Sequence, residues 1–206
     1  MHRRNTAARA RLAASVRTPA LACLAALALA PLPARAIEQR LLFEPGTTAV
    51  RFTLGATLHT AEGSVKLQQG ELRFDPDAGT ASGELVMDAK SAETGSGLRD
   101  ENMHRDVLES GKFPTITFRA ERLEVARRDE SSADVTLLGS LVLHGEARPF
   151  SIPAKLTAPD PEHVGVSAAF RVPYVDWGMV DYSTFVLRVD RFVDVAVEAV
   201  GTLAAP

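Results

Sequence analysis

Apolar and polar residues alternate with a period of two in six stretches of this 206-residue chain. Val50, Phe52 and Leu54 alternate with Arg51 and Thr53, Leu72 and Phe74 flank Arg73, and Leu85, Met87 and Ala89 flank Val86 and Asp88. Further on, Ile116 and Phe118 alternate with Thr117 and Arg119, and Val166, Ala168, Phe170 and Val172 with Ser167, Ala169 and Arg171. The clearest run is Val193-Val195-Val197-Ala199, interleaved with Asp194, Ala196 and Glu198. Side chains on a strand point alternately to opposite faces, so each stretch predicts a strand with one face in an apolar interior and one in water. Turn-forming clusters separate them: Asp75-Pro76-Asp77-Ala78-Gly79, His144-Gly145-Glu146 and Ala158-Pro159-Asp160-Pro161-Glu162. Many short strands between close turns predict an all-β sandwich or barrel, and alternation alone does not choose between them.

One segment departs from the pattern. Leu98 to Ser110 lacks Pro, Gly and any β-branched run, and Met103, Val107 and Leu108 form a narrow apolar stripe at helical spacing. Gly111 stands where a left-handed cap is wanted, and Pro114 blocks continuation, so a short helix is predicted as an insert between two strands. Arg99, Asp100, Glu101, Arg105, Asp106 and Glu109 fall on its outward side.

The first 36 residues read differently. Five arginines up to Arg17 precede the apolar run Ala20 to Ala30, Pro31 and Pro33 break it, and Ala34-Arg35-Ala36 has the small-x-small form that signal peptidase reads. This predicts a secretory leader over 1–36, cut near Ala36, and one domain over 37–206. The expected location is the periplasm. Cys23 is the sole cysteine and lies within that leader, so the exported chain would have no disulfide and must be stabilised by a packed core. Six of the 23 Lys and Arg residues precede position 37 and none of the 26 Asp and Glu do, leaving 17 against 26, a balance of −9. Such a surface excludes nucleic acid as a natural partner and disfavours unaided adhesion to anionic lipid.

Candidate chemistry is sparse. His59, His104, His144 and His163 lie in turns or on the helix, and no two stand four residues apart. There is no H-E-x-x-H, no G-x-S-x-G and no cysteine nucleophile outside the leader, so neither catalysis nor a metal centre is expected.

The run from Ser91 through Arg99-Asp100-Glu101-Asn102-Met103-His104 to Lys112-Phe113-Pro114-Thr115-Ile116-Thr117-Phe118 resembles the signature of the YceI-like family. Gly63 to Phe74 resembles the family's early strand pair, Leu141-Val142-Leu143-His144-Gly145 its central turn, and Asp190 to Leu203 its closing strand. Pro173-Tyr174-Val175-Asp176-Trp177-Gly178 resembles one subgroup. The resemblance implies an extended, eight-stranded, lipocalin-like antiparallel β-barrel with the helical insert near one end. It also implies a periplasmic carrier of a polyisoprenoid or quinone tail, or of a fatty-acyl amphiphile. A homodimer or a membrane-protein partner is implied by the same likeness.

A long apolar tail needs a dry tunnel. The inward candidates are Val50, Phe52, Leu54, Leu85, Met87, Met103, Ile116, Phe118, Phe170, Val193, Val195 and Val197. The same residues would serve a solid barrel, since eight strands enclose an interior that side chains just fill or that holds one small ligand. A non-catalytic interaction or stress-response module with a filled barrel is therefore the alternative function. The family likeness favours the cavity. With only 12 aromatic residues, its wall is expected to be mainly aliphatic. Arg99, Asp100 and His104 are candidates for contact with a ligand's polar head at the mouth, against the reading that Arg99 and Asp100 fix the helix to the sheet. Trp177 is expected in the core.

Overall fold

The computed structural model describes residues 38–57, 59–185 and 188–204; the expected leader lies outside them. Eight antiparallel strands follow one another around a closed barrel. They are β1 (Gln39–Leu54), β2 (Ala61–Asp75), β3 (Thr80–Glu93), β4 (Thr115–Arg128), β5 (Ser132–Leu143), β6 (Glu146–Thr157), β7 (His163–Val172) and β8 (Val193–Ala204). Closure comes from β1, which pairs with β2 along one edge and with β8 along the other. The barrel, left open beside the sandwich by alternation alone, is thus the architecture.

Apolar side chains face inward along every strand, but not with one unbroken phase. In β1 the inward residues are Leu41 and Phe43, then Val50, Phe52 and Leu54. The switch from odd to even positions occurs at a register shift between Phe43 and Thr48, where Glu44-Pro45-Gly46 bulges into solvent. Pro45 can donate no ladder hydrogen bond, so a bulge is the place where a strand tolerates it. β2 shifts register between Leu67 and Gln69, and β4 between Ala120 and Arg122. Without these shifts, a one-residue slip would turn half of each strand's apolar set to water.

The two ends of the barrel differ. Short turns at 76–79, 129–131 and 158–162 close one end, where the Asp75 carboxylate accepts from the Asp77 and Ala78 N–H groups at 2.9 and 3.0 Å. Every long connection lies at the other end: 55–60, 94–114 and 173–192.

The helical insert is α1 (Gly97–Asn102), which widens into a π turn over Met103–Val107. The widening is visible in the Leu108 N–H, which donates to the Met103 carbonyl five residues back, at 2.8 Å. It changes where the chain reverses. The left-handed residue is Glu109, φ 44°, and not the expected Gly111. Glu109 is held there by its carbonyl, which accepts from Lys112 and Phe113 at 2.7 and 2.9 Å, and by its carboxylate, 2.6 Å from His144 Nε2. His144 and Gly145 both have positive φ, 51° and 78°, as a two-residue hairpin of primed type requires.

One junction is weaker than the rest. Only Ala154 to Thr157 of β6 pair with Gly165 to Ala168 of β7, whereas β5 and β6 pair along their full length. Pro149 and Pro153 lie on β6, and a proline in a strand fully laddered on one side is tolerated where its missing N–H faces the other. Along the unpaired half of the seam aromatic rings take over. Phe150 packs edge-on to Phe170 and Trp177, with centroids 5.7 and 6.2 Å apart. Trp177 is buried, as expected, its Nε1–H shared between the Leu141 and Glu146 carbonyls at 3.3 and 3.0 Å.

Gly139 faces the β4 bulge so closely that a Cβ there would collide with the Arg119 carbonyl oxygen and lie 3.1 Å from the Phe118 ring. Gly139→Ala should therefore lower stability by about 1–3 kcal/mol in urea unfolding, as overpacking against backbone does. Gly46→Ala, with nothing within 4 Å of the new methyl, should stay within about 0.5 kcal/mol of wild type.

Candidate functional site

The inward side chains do not meet across the barrel axis. They enclose a cavity of about 870 Å³ running along it. The structure places all twelve apolar candidates on its wall: Val50, Phe52, Leu54, Leu85, Met87, Met103, Ile116, Phe118, Phe170, Val193, Val195 and Val197. Leu41, Phe43, Leu67, Leu123, Val135, Leu137 and Leu141 join them from stretches where bulges or adjacent leucines obscure the alternation. Phe150, Ile152, Ala154 and Leu156 of β6 also line it. Their alternation with Pro149, Ser151, Pro153 and Lys155 was a usable signal, masked by the prolines. The wall is mainly aliphatic, yet eight of the chain's twelve aromatic residues lie on it, more than the low aromatic content suggests.

The cavity opens at the end that carries the long connections. Wall residues toward the other end, such as Leu41, Leu72, Leu123 and Val135, are buried. Leu98, at the mouth, is 73% exposed, and Val180 and Tyr182 are also exposed. The mouth is framed by three segments that hold one another. The 55–57 stretch bonds to the 188–190 stretch, with the Thr57 N–H donating to the Arg188 carbonyl at 2.9 Å and the Asp190 N–H to the Gly55 carbonyl at 2.8 Å. The Tyr182 hydroxyl donates to the Asp106 carboxylate at 2.7 Å, which ties the 173–192 connection to the insert.

Most polar groups on the wall gather at this mouth, Thr48 in mid-β1 being an exception. Thr94, Ser96, Arg99, Asn102, His59 and Thr184 line it there, and no carboxylate lines the cavity among the described residues. The three head-group candidates are placed differently from one another. Arg99 lines the cavity while its Nε–H and Nη2–H donate to the Thr94 hydroxyl and carbonyl oxygens at 2.7 and 2.9 Å. Asp100 is not on the wall; its Oδ1 accepts from the Thr94 N–H at 2.8 Å and from the Thr94 hydroxyl. Arg99 and Asp100 therefore clasp Thr94 and fasten α1 to the end of β3. His104 is also off the wall. Its ring nitrogens lie 2.9 Å from the Ala92 carbonyl and 2.9 Å from the Ser110 hydroxyl, so both are spent on seating the insert against β3. Of the other histidines, His144 joins Glu109 to the Trp177 carbonyl, and His163 pairs with Asp160 in its turn. No group of three or more metal-binding side chains occurs among the described residues.

The Tyr182–Asp106 clasp has a defined pH dependence. A hydrogen bond from Arg105, then one from Tyr182, holds the Asp106 carboxyl below its ordinary value of 3.8. A depressed carboxyl contributes above its unfolded value and loses the contribution as pH falls through the folded one. Tyr182→Phe should raise hydrogen exchange in the described residues 180–185 by roughly 3–10-fold, as expected for an exposed charge-assisted bond. That difference from wild type should hold at pH 5 to 7 and vanish as pH drops well below 3.8. Equal exchange in both proteins at neutral pH would show that the clasp does not restrain the mouth.

Comparison with known proteins places this architecture. A UPF0312 protein of Vibrio vulnificus is 24% identical over 134 residues, covering 64% of this chain and 69% of its own length. One of Vibrio cholerae is 26% identical over 117 residues, covering 53% of this chain and 60% of its own. A solved polyisoprenoid binding domain from Saccharophagus degradans superposes with a TM-score of 0.59 at 14% identity, over 80% of this chain and 98% of that one. Burkholderia cenocepacia BcnA superposes at 0.61 with 15% identity, over 77% of this chain and 98% of its own. At these identities the superpositions speak to the fold. The model of the YceI-like domain matches residues 42–201, from the first half of β1 to the last turn of β8. The chain belongs to the YceI-like family.

Proposed function

We propose that this protein binds a long-chain amphiphile, with the tail of a polyisoprenoid or acyl chain inside the barrel and its polar head at the mouth framed by the insert. The cavity carries the proposal. The apolar space of about 870 Å³ opens at the mouth, so water and ligand compete for it. Water needs two to four polar partners, and below the mouth the largely apolar wall offers few, the Thr48 hydroxyl among them. A flexible hydrocarbon needs none and gains about 0.8 kcal/mol per buried CH₂. The volume also falls within the range of ligand pockets, about 300–1,000 Å³. The solved Saccharophagus domain, described as polyisoprenoid-binding, supports the same class of cargo. The filled-barrel alternative requires an interior without this space, and the cavity weighs against it.

The leader expected over 1–36 supports action in the periplasm, where such a carrier would shuttle or sequester membrane-derived amphiphiles. N-terminal sequencing of the exported protein near residue 37, with recovery in the periplasmic fraction, would bear this out; an uncleaved cytoplasmic chain would overturn it.

Two measurements test the carrier. Native mass spectrometry and solvent extraction of the exported protein should recover a single-chain amphiphile, and the protein should bind a fluorescent fatty acid with a change in its emission. Val195→Trp, which narrows the bore near its mouth, should weaken probe binding at least about tenfold while leaving the circular dichroism spectrum of the barrel intact. A protein that never holds or takes up an amphiphile, whatever the chain type offered, would refute the reading.

A further inference from the structure

We infer that the amphiphile's head is a carboxylate, held by Arg99 with the Asn102 side-chain amide at the cavity mouth. This rests on the carrier reading above and narrows it to one class of head group. Among the described residues, Arg99 and His59 are the only basic groups on the wall, and no acidic group faces them there. Among the described residues Arg99 forms no ion pair and is half-buried; Arg51, Arg122, Arg188 and Arg191 also lack one but are exposed, while Arg40, Arg73, Arg105, Arg119 and Arg171 on the outer surface have carboxylate partners. A half-buried guanidinium gains from a counter-charge, and the free side of this one lines the cavity.

The donors left over point the same way. Two of the five Arg99 N–H bonds are fixed on Thr94, so the plane of the guanidinium is set and Nη1 keeps both hydrogens for a ligand. Asn102 lies one turn further along α1 on the same side, as residues three apart do. Its Oδ1 accepts from Arg105 Nη2 at 2.7 Å, which leaves the amide NH₂ as the unspent end. The mouth thus presents the unspent Arg99 and Asn102 donors beside one fixed positive charge. A head with acceptor oxygens and a single negative charge satisfies both conditions. An alcohol or a quinone carbonyl leaves the charge unbalanced. A phosphate monoester brings more charge than one guanidinium neutralises.

The experiment compares hexadecanoate, hexadecan-1-ol, hexadecyl phosphate and farnesol by displacement of the fluorescent probe, at a pH where the acid is ionised. Hexadecanoate should bind roughly 10–100-fold more tightly than hexadecanol, the range expected for a hydrogen bond to a charged group. Asn102→Asp keeps the acceptor for Arg105 and leaves the Arg99–Thr94 clasp untouched, but turns a carboxylate toward the ligand. It should weaken hexadecanoate about tenfold or more and leave hexadecanol within about twofold, because only the charged head meets the repulsion. Arg99→Gln should erase the preference for the acid, and Arg99→Lys should keep part of it. Equal binding of acid and alcohol, or an acid affinity indifferent to Asn102→Asp, would overturn the inference while leaving the carrier reading in place. Tighter binding of hexadecyl phosphate than of hexadecanoate would overturn the carboxylate assignment. Failure of all four probes would instead remove the carrier reading itself.

Discussion

Strand β1 is paired on both edges at once, to β2 and to β8, and that double pairing turns a meander of eight strands into a tube. A sheet left open would present two rows of unpaired N–H and C=O groups, an invitation to association that closed barrels avoid. Closure then imposes a second condition. Every inward position must be apolar along the whole strand, although strand twist and tilt do not match the two-residue repeat indefinitely. The bulges in β1, β2 and β4 reconcile the two demands, resetting the phase so that the apolar set stays inside.

The tube's ends are built for different tasks. Tight turns hold one end with their own backbone and Asp75-type side-chain bonds. The other end carries three long connections whose polar groups are satisfied by one another: Arg99 and Asp100 on Thr94, His104 on Ala92 and Ser110, Tyr182 on Asp106. Binding residues often sit on loops positioned by a rigid scaffold. Here the loops are also cross-linked, so the rim has a defined shape and its few cavity-facing donors have defined directions. Phe185, 99% exposed, stands apart from that network on the same rim.

Much of the architecture was readable in the sequence, because alternation reports the inner face wherever it runs for three or more repeats, as in β7 and β8. It fails where a bulge changes phase, which is why Leu41 and Phe43 do not align with Val50 to Leu54, and where prolines imitate a loop, as in β6. The helix was visible from its apolar spacing, but its π turn and the left-handed Glu109 were not. Those depend on a contact with His144, 35 residues away. The cavity itself leaves no trace in composition. The same valines and leucines would fill a solid barrel, and only the diameter set by strand number and register separates the two. The roles of Asp100 and His104 were ambiguous for a related reason: a polar residue near a mouth looks alike in sequence whether it faces a ligand or braces a loop.

The seam between β6 and β7 gives the tube a grain. Around most of the circumference, widening the wall means breaking backbone hydrogen bonds in a cooperative ladder. Between Phe150 and Phe170 it means sliding rings past one another and releasing the Trp177 Nε1–H, since Pro149 and Pro153 leave little ladder to break. Local opening concentrates where hydrogen bonds are few. This barrel is therefore stiff in most directions and compliant along one line that runs from the mouth to mid-height. Any widening of the bore would begin on that side, where the wall gives like a hinged stave.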